Sequence, residues 1–169
     1  THKLDLLKAS RDLFDELDPY ARQLDEVSCI SKRNGKLCGH AKDPITAGLS
    51  FDAIVDADHW RHGAEICVLG AGGSSLALTI HLTKQPAGRR PSRIYVTNRS
   101  PRRLDEMRPV HANIDCPIPV EYHHCPNAGD NDMVVNGLKP GSMVVNATGL
   151  GKDAQGSPLT DAVRFPENG

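Results

Sequence analysis

An α/β fold, a doubly wound parallel sheet, is predicted for residues 63–169. Short apolar runs alternate there with helix-like stretches, and a glycine-rich turn joins the first strand to the first helix. Residues 65–69 read as a strand, 70–73 as the turn and 74–84 as a helix, before the breaker run 85–92. A second strand follows at 93–97, then a helix from Ser100-Pro101 to about Arg108. Residues 120–123 give a third strand, 131–138 a short helix and 142–148 a fourth strand after the turn Pro140-Gly141. Parallel strands joined by helices require right-handed crossovers.

Residues 1–62 follow a different grammar. Leu4, Leu7, Leu13, Phe14 and Leu17 fall near helical spacing, predicting a helix that stops at Asp18-Pro19, where Asp18 caps a second, short helix. Residues 27–31 and 36–38, joined by Arg33-Asn34-Gly35, read as a hairpin with a type I′ turn. Asp43-Pro44 then reads as cap and first position of a helix whose apolar side is Ile45, Leu49, Phe51, Ile54, Val55 and Trp60.

Composition limits the function. The chain has 169 residues and a formal net charge of −1, so no global field draws it to nucleic acid or an anionic membrane, and any anion site must be local. Apolar runs such as 66–69 and 143–145 are far too short to span a bilayer. The five cysteines are odd in number and scattered, as expected of free thiols in a cytoplasmic protein. His123, His124 and Cys125 lack a second converging pair of ligands, and no metal is expected.

The chemistry lies in two stretches. Gly70-Ala71-Gly72-Gly73-Ser74, after a strand and opening a helix, is where a dinucleotide fingerprint belongs: the glycines allow a tight turn and let a diphosphate approach the N–H groups at the helix start. This is the mark of a Rossmann-like domain. Beyond the second strand, where such folds read the adenosine ribose, stand Asn98, Arg99, Ser100, Pro101, Arg102 and Arg103. An acidic residue there would accept from the free 2′-hydroxyl of NAD. Arginines, an amide and a hydroxyl suit the 2′-phosphate of NADP instead. Positive charge at a helix start opposes the helix dipole, which also argues for an anion nearby.

With these pieces in view, the chain resembles the shikimate and quinate dehydrogenases over nearly its whole length. Thr1-His2-Lys3 is similar to the end of the family's NVTxPHK, residues 26–30 to AVNTI, and residues 39–43 to GxNTD. GAGG recurs at 70–73, NRS at 98–100, and Asn146-Ala147-Thr148-Gly149 is similar to the start of NATPxGM. The resemblance implies that residues 1–62 are the remnant of an α/β substrate-binding domain with its linker helix, and that 63–169 form an NADP-binding domain truncated at its C-terminus. It implies Lys3 and Asp43 as the catalytic pair, with Ser28 beside them at the substrate, and Ala147, Thr148 and Gly149 at the cofactor. The lysine handles the proton of the hydroxyl while hydride passes to or from the nicotinamide. The implied reaction interconverts 3-dehydroshikimate, or a related cyclic hydroxy acid such as quinate or an aminoshikimate, and its alcohol. The implied partner is thus a small molecule, and the implied state a monomer or homodimer.

Departures from the family pattern accompany the matches. Ser28 and Ala41 stand where the family has asparagines, Lys42 replaces a threonine, and Gly149 and Lys152 replace the proline and methionine of NATPxGM. A pocket that loses a hydrogen-bonding partner selects a different substrate. These changes also admit an alternative function, a non-catalytic NADP-binding relative. The family's further substrate residues fall before Lys3 and after residue 169, and the chain, which starts without Met and ends at the turn sequence Pro166-Glu167-Asn168-Gly169, is expected to be part of a longer protein.

Overall fold

The structure, a computed structural model, describes residues 3–168. Thr1 and His2, which carry part of the resemblance, the Leu4 side chain, expected on an apolar helix face, and Gly169 lie outside the described residues.

The N-terminal part begins with α1 (Lys3–Ser10) and a 3-10 turn (Arg11–Leu13). The expected helix through Leu17 does not form. Ser10 bonds back to the Leu6 carbonyl, and the chain extends into β1 (Glu16–Leu17), which pairs parallel with Cys38 and Gly39. Backbone bonds of Asp15 to Leu37 and of Asp18 to Gly39 carry that pairing, and a methyl group on Gly39 would come within 2.7 Å of the Leu17 side chain. Tertiary pairing therefore overrides the helical spacing. Asp18 caps α2 (Pro19–Leu24) as the sequence implies, accepting from the Ala21 N–H at 2.7 Å.

The hairpin comprises β2 (Cys29–Arg33) and β3 (Lys36–His40), antiparallel, and completes a three-stranded sheet of order β1-β3-β2. Its turn has φ of 50° at Asn34 and 82° at Gly35, the double left-handed geometry of a type I′ turn.

Next comes α3 (Asp43–Asp52). Two expectations fail here. The cap position belongs to Lys42, and Asp43 is the first helical residue, its carboxylate spent elsewhere. The helix also ends at Asp52, and Ile45, Leu49 and Ile54 are exposed, while Pro44, Gly48 and Phe51 face inwards. The reason is close packing on α4 (Gly73–Thr83): a methyl group on Gly48 would overlap the His81 ring, so the smallest residue defines the buried face. Trp60 is buried in the turns that follow and lies parallel to Phe51, with ring centroids 6.3 Å apart.

The second sheet contains β4 (Ile66–Leu69), β5 (Ile94–Asn98), β6 (Val120–His124) and β7 (Met143–Asn146), all parallel, in the order β6-β5-β4-β7. All four residues of β4 are fully buried, which explains their uninterrupted apolar run. Ile66 and Val68 pack with α4 and with α5 (Pro101–Asn113); Cys67 and Leu69 pack on the opposite face with Val135 of α6 (Ala128–Asn136) and Leu138. Helices on both faces make the sheet doubly wound and Rossmann-like. In chain order its strands run third, second, first, fourth, so winding reverses between β4 and β7, where such sheets open a ligand crevice at the strands' C-terminal ends.

Helix α5 overruns its expected end at Arg108 and continues through Pro109 to Asn113. Leu104, Met107 and His111 are buried on one side of it, and that anchorage outweighs the proline. His111 bridges Thr79 of α4 (Nε2, 2.8 Å) and the Tyr122 hydroxyl of β6 (Nδ1, 2.6 Å). Because Thr79 already donates to the Leu76 carbonyl, its oxygen accepts from His111 Nε2–H, and Tyr122 donates to Nδ1. Burial pushes the imidazole down to about 4 and the Tyr122 phenol up to about 12.

Candidate active site

The glycine turn lies at the reversal point. Gly70 has φ of 104°, and a methyl group there would stand 2.8 Å from the Ala147 carbonyl oxygen beyond β7, so both conformation and space demand glycine. Its N–H bonds the Thr97 carbonyl, and Ser75 donates to its carbonyl, fixing the turn from both sides. Gly72, the cap residue of α4, has open space around it and no side chain to satisfy the first N–H groups of the helix. Gly72, Gly73 and Ser74 are exposed, whereas Ala71 and Ala77 are buried. The residues present thus fit a diphosphate, for which the open turn leaves space.

Asn98 proves to be a strut rather than a free ligand. Its Oδ1 accepts from the Ala71 N–H at 3.2 Å and its Nδ2 donates to the Ser100 carbonyl at 2.9 Å, tying the glycine turn to the loop after β5. Ser100 makes no side-chain cap bond. Nor do the three arginines stand equal. Arg102 and Arg103 both bond Glu106, at 2.8 and 2.9 Å, and these bonds, with Arg102's foremost, hold the Glu106 carboxyl below the usual range. Arg99 is exposed at the C-terminal end of β5, and its guanidinium has no hydrogen bond or ion pair among the described residues.

Lys3 and Asp43, 40 positions apart, form a half-buried ion pair between Lys3 Nζ and Asp43 Oδ2. Asp43 shares with Thr46, Ala47, Ser50, Ser74 and Ala77 a cleft of about 360 Å³ between the starts of α3 and α4. Asp43 and the first turn of α4, just after the glycines, thereby line one opening. Ser28 is exposed at the edge of the hairpin, its oxygen accepting from the Lys42 N–H at 2.8 Å, so it sets the start of α3. Ala41 is wholly buried. Lys42 reaches back to Asp18 at 3.4 Å, on which His40 also converges at 3.5 Å. Burial resists ionisation of Asp18, yet the N–H groups of Ala21 and Ala41 and the Lys42 ammonium prevail and hold its carboxyl below the usual range.

After β7, Asn146 folds the loop on itself: its Oδ1 accepts from the Thr148 N–H and hydroxyl at 3.0 and 2.7 Å. Gly149 has φ of 81°, which proline cannot adopt, so its replacement of the family's proline gives this loop a different path. Ala147 lies against Gly70 and Thr148 is exposed.

Sequence reasoning missed three residues. Glu106 competes for the arginines, a contact signalled by the spacing of three and four residues on one helix. Asn146 shapes its loop, and an Asx turn was legible in Asn-Ala-Thr. Glu26 is buried, 4% exposed, with Oε1 lacking any hydrogen-bond partner, and no pattern announces it. Among the described residues no group of three or more His, Cys, Asp or Glu side chains could hold a metal ion, and no helix is long and apolar enough to cross a membrane.

A doubly wound sheet with an open glycine turn at its reversal point, beside a cleft lined by the carboxylate of a lysine–aspartate pair, defines the chain as carrying a Rossmann-like fold. The relatives narrow that class. The chain is 29% identical over 153 residues to the shikimate dehydrogenase (NADP(+)) of Lactococcus lactis subsp. cremoris, covering 90% of this chain and 51% of that protein. It is 30% identical over 155 residues to the protein of the same name from Symbiobacterium thermophilum, covering 90% and 49%. The resemblance read from the motifs is thus matched by curated relatives, and the chain spans about half the length of those it matches. No family model matches. Among solved structures, a quinate dehydrogenase from Corynebacterium glutamicum in complex with NAD superimposes with a TM-score of 0.70 at 22% identity, over 95% of this chain and 52% of that one. The shikimate dehydrogenase of Aquifex aeolicus does so with a TM-score of 0.63 at 21% identity, over 90% and 49%. These two share the fold.

Proposed function

We propose that the chain is part of an NADP-dependent oxidoreductase of the shikimate dehydrogenase type, interconverting a ketone such as 3-dehydroshikimate, or a related cyclic hydroxy acid, and its alcohol. The observation that carries this reading is the Lys3–Asp43 pair, whose carboxylate lines the same cleft as Ser74 of the glycine turn. Residues 1–62 supply substrate-lobe elements and residues 63–169 the nucleotide lobe. The names of the curated relatives and the unpaired Arg99 support NADP over NAD. A monomer or homodimer in the cytoplasm is the setting this reading implies.

In such a site the glycine turn and the N-terminus of α4 would hold the diphosphate, and Arg99, Arg102 and Arg103 would supply the positive charge for the 2′-phosphate. The bound nicotinamide supplies or removes the hydride. Lys3, as an ammonium, donates its proton to the ketone oxygen as that oxygen becomes a hydroxyl; in the other direction the neutral amine accepts the hydroxyl proton. Asp43 holds the Lys3 nitrogen at the cleft. With Ala41 and Ser28 in place of asparagines, the best substrate differs from shikimate in the group those amides would have met.

The test is to incubate the full-length protein with NADP and a panel of shikimate, quinate and amino-substituted analogues while following NADPH absorbance. Turnover of one member is the expected result. Silence with every member despite firm NADP binding would favour the non-catalytic binder.

A further inference from the structure

Glu26 lies behind the cleft in an arrangement that neither the motifs nor the proposed chemistry explains. It is buried between α2 and β2, with Oε1 unpartnered. Its Oε2 lies 3.5 Å from where a Cβ on Gly73 would stand, against the first turn of α4. The charged groups whose fields reach it are Asp43, from α3, and Lys3, from α1; the α4 side contributes Gly73 and no charge. A buried carboxyl without a hydrogen-bonding partner is costly as an anion. Here burial, with repulsion from Asp43 only partly offset by Lys3, pushes the group above the usual carboxylate range.

Besides the Lys3 ammonium, the positive end of α4 favours the ionised form. A diphosphate seated on that helix end would take over its N–H groups and add two negative charges within a few ångströms of Glu26. Both effects drive the carboxyl the same way. We infer that Glu26 is a further residue of the nucleotide site, acting as a neutral acid, so that filling the glycine turn with a dinucleotide is coupled to uptake of one proton at Glu26. The residue thus sets the pH range over which the site holds its cofactor, and it lies between the cofactor turn and the Lys3–Asp43 pair. This rests on the dinucleotide reading of the glycine turn.

Calorimetric titration of the full-length protein with NADP, at several pH values and in buffers of different ionisation enthalpy, tests it. The 2′-phosphate itself titrates near pH ~6, so the decisive quantity is the difference between wild type and Glu26→Gln, repeated with NAD, which lacks that group. The wild type is expected to take up a fraction of a proton approaching one, its Kd weakening by up to about tenfold per pH unit above the free carboxyl's pKa. Glu26→Gln should show neither effect and bind more tightly at the alkaline end. Should that variant fail to fold, infrared difference spectra of the wild type on adding NAD must show a new protonated-carboxyl band. Buffer-independent heats, with binding intact and no such band, overturn the role of Glu26 and leave the nucleotide site standing. Absence of any dinucleotide binding overturns both.

Discussion

Acidification should loosen the fold through His111, and the size of the effect follows from its surroundings. The ring is buried between Thr79 and Tyr122, with Nε2–H donating and Nδ1 accepting, so a second proton would set N–H against the Tyr122 hydroxyl. Its pKa is about 4 in the fold against an ordinary 6.5. Between those values the unfolded chain binds the extra proton and the folded one does not, so stability falls as pH drops through this window. Above it the contribution is complete, and below about 4 nothing further is lost. A gap of roughly 2.5 pH units, at about 1.4 kcal/mol each, amounts to about 3–4 kcal/mol. That is a large part of the ~5–15 kcal/mol of a typical domain. The assay is urea unfolding of wild type and His111→Gln from pH 7.5 to 4, with the difference in pH slope isolating this residue. In parallel, the wild-type imidazole should show nitrogen shifts of the neutral Nε2–H form at pH 5.5. Equal slopes in the two proteins, or a protonated ring at pH 5.5, would refute the reasoning.

Other outcomes follow from the site. Lys3→Ala in the full-length protein should lower turnover by about 10²–10⁴, the worth of a positioned proton donor, while NADP affinity stays within twofold; steady-state kinetics beside calorimetry would check this. Arg99→Ala should weaken NADP by about tenfold and NAD hardly at all, the lower end for a charged hydrogen bond at an exposed position. Equal losses would move the ribose reader elsewhere. Glu106→Gln removes the ion pair that holds Arg103 and should tighten NADP by no more than about fivefold, since an exposed ion pair is worth at most ~1 kcal/mol. Gly70→Ala should abolish dinucleotide binding and lower the thermal midpoint, because its methyl group would push on the Ala147 carbonyl.

Elements whose signals are local were legible in the sequence. The Asn34-Gly35 turn, the Asp18 cap, the buried β4 and the glycine turn each follow from the backbone needs of a few adjacent residues. The failures share a different cause. Leu13 to Leu17 leave the helix because β3 supplies backbone partners more than 20 positions away, and the inward side of α3 is chosen by the fit of Gly48 to His81 rather than by its large apolar residues. In the site, the Lys3–Asp43 pairing came from family resemblance and is met by the geometry, since spacing alone cannot join residues 40 apart. The arginine cluster was read as a unit because charge, unlike contact, is visible in sequence; its division between Glu106 and open solvent is not.

The Gly48–His81 seam has a bearing on engineering. Replacing a glycine inside a helix with alanine ordinarily firms it by ~1 kcal/mol. At residue 48 the added methyl would land in an imidazole whose Nε2 is held by the Asp52 carboxylate at 2.9 Å, leaving the ring little room to swing away. Overpacking of this kind costs about 1–3 kcal/mol, and the strain would fall where the helix bearing Asp43 rests on the one that opens at the glycine turn. A routine thermostabilising swap would here throw the Asp43 carboxylate and the glycine turn out of alignment.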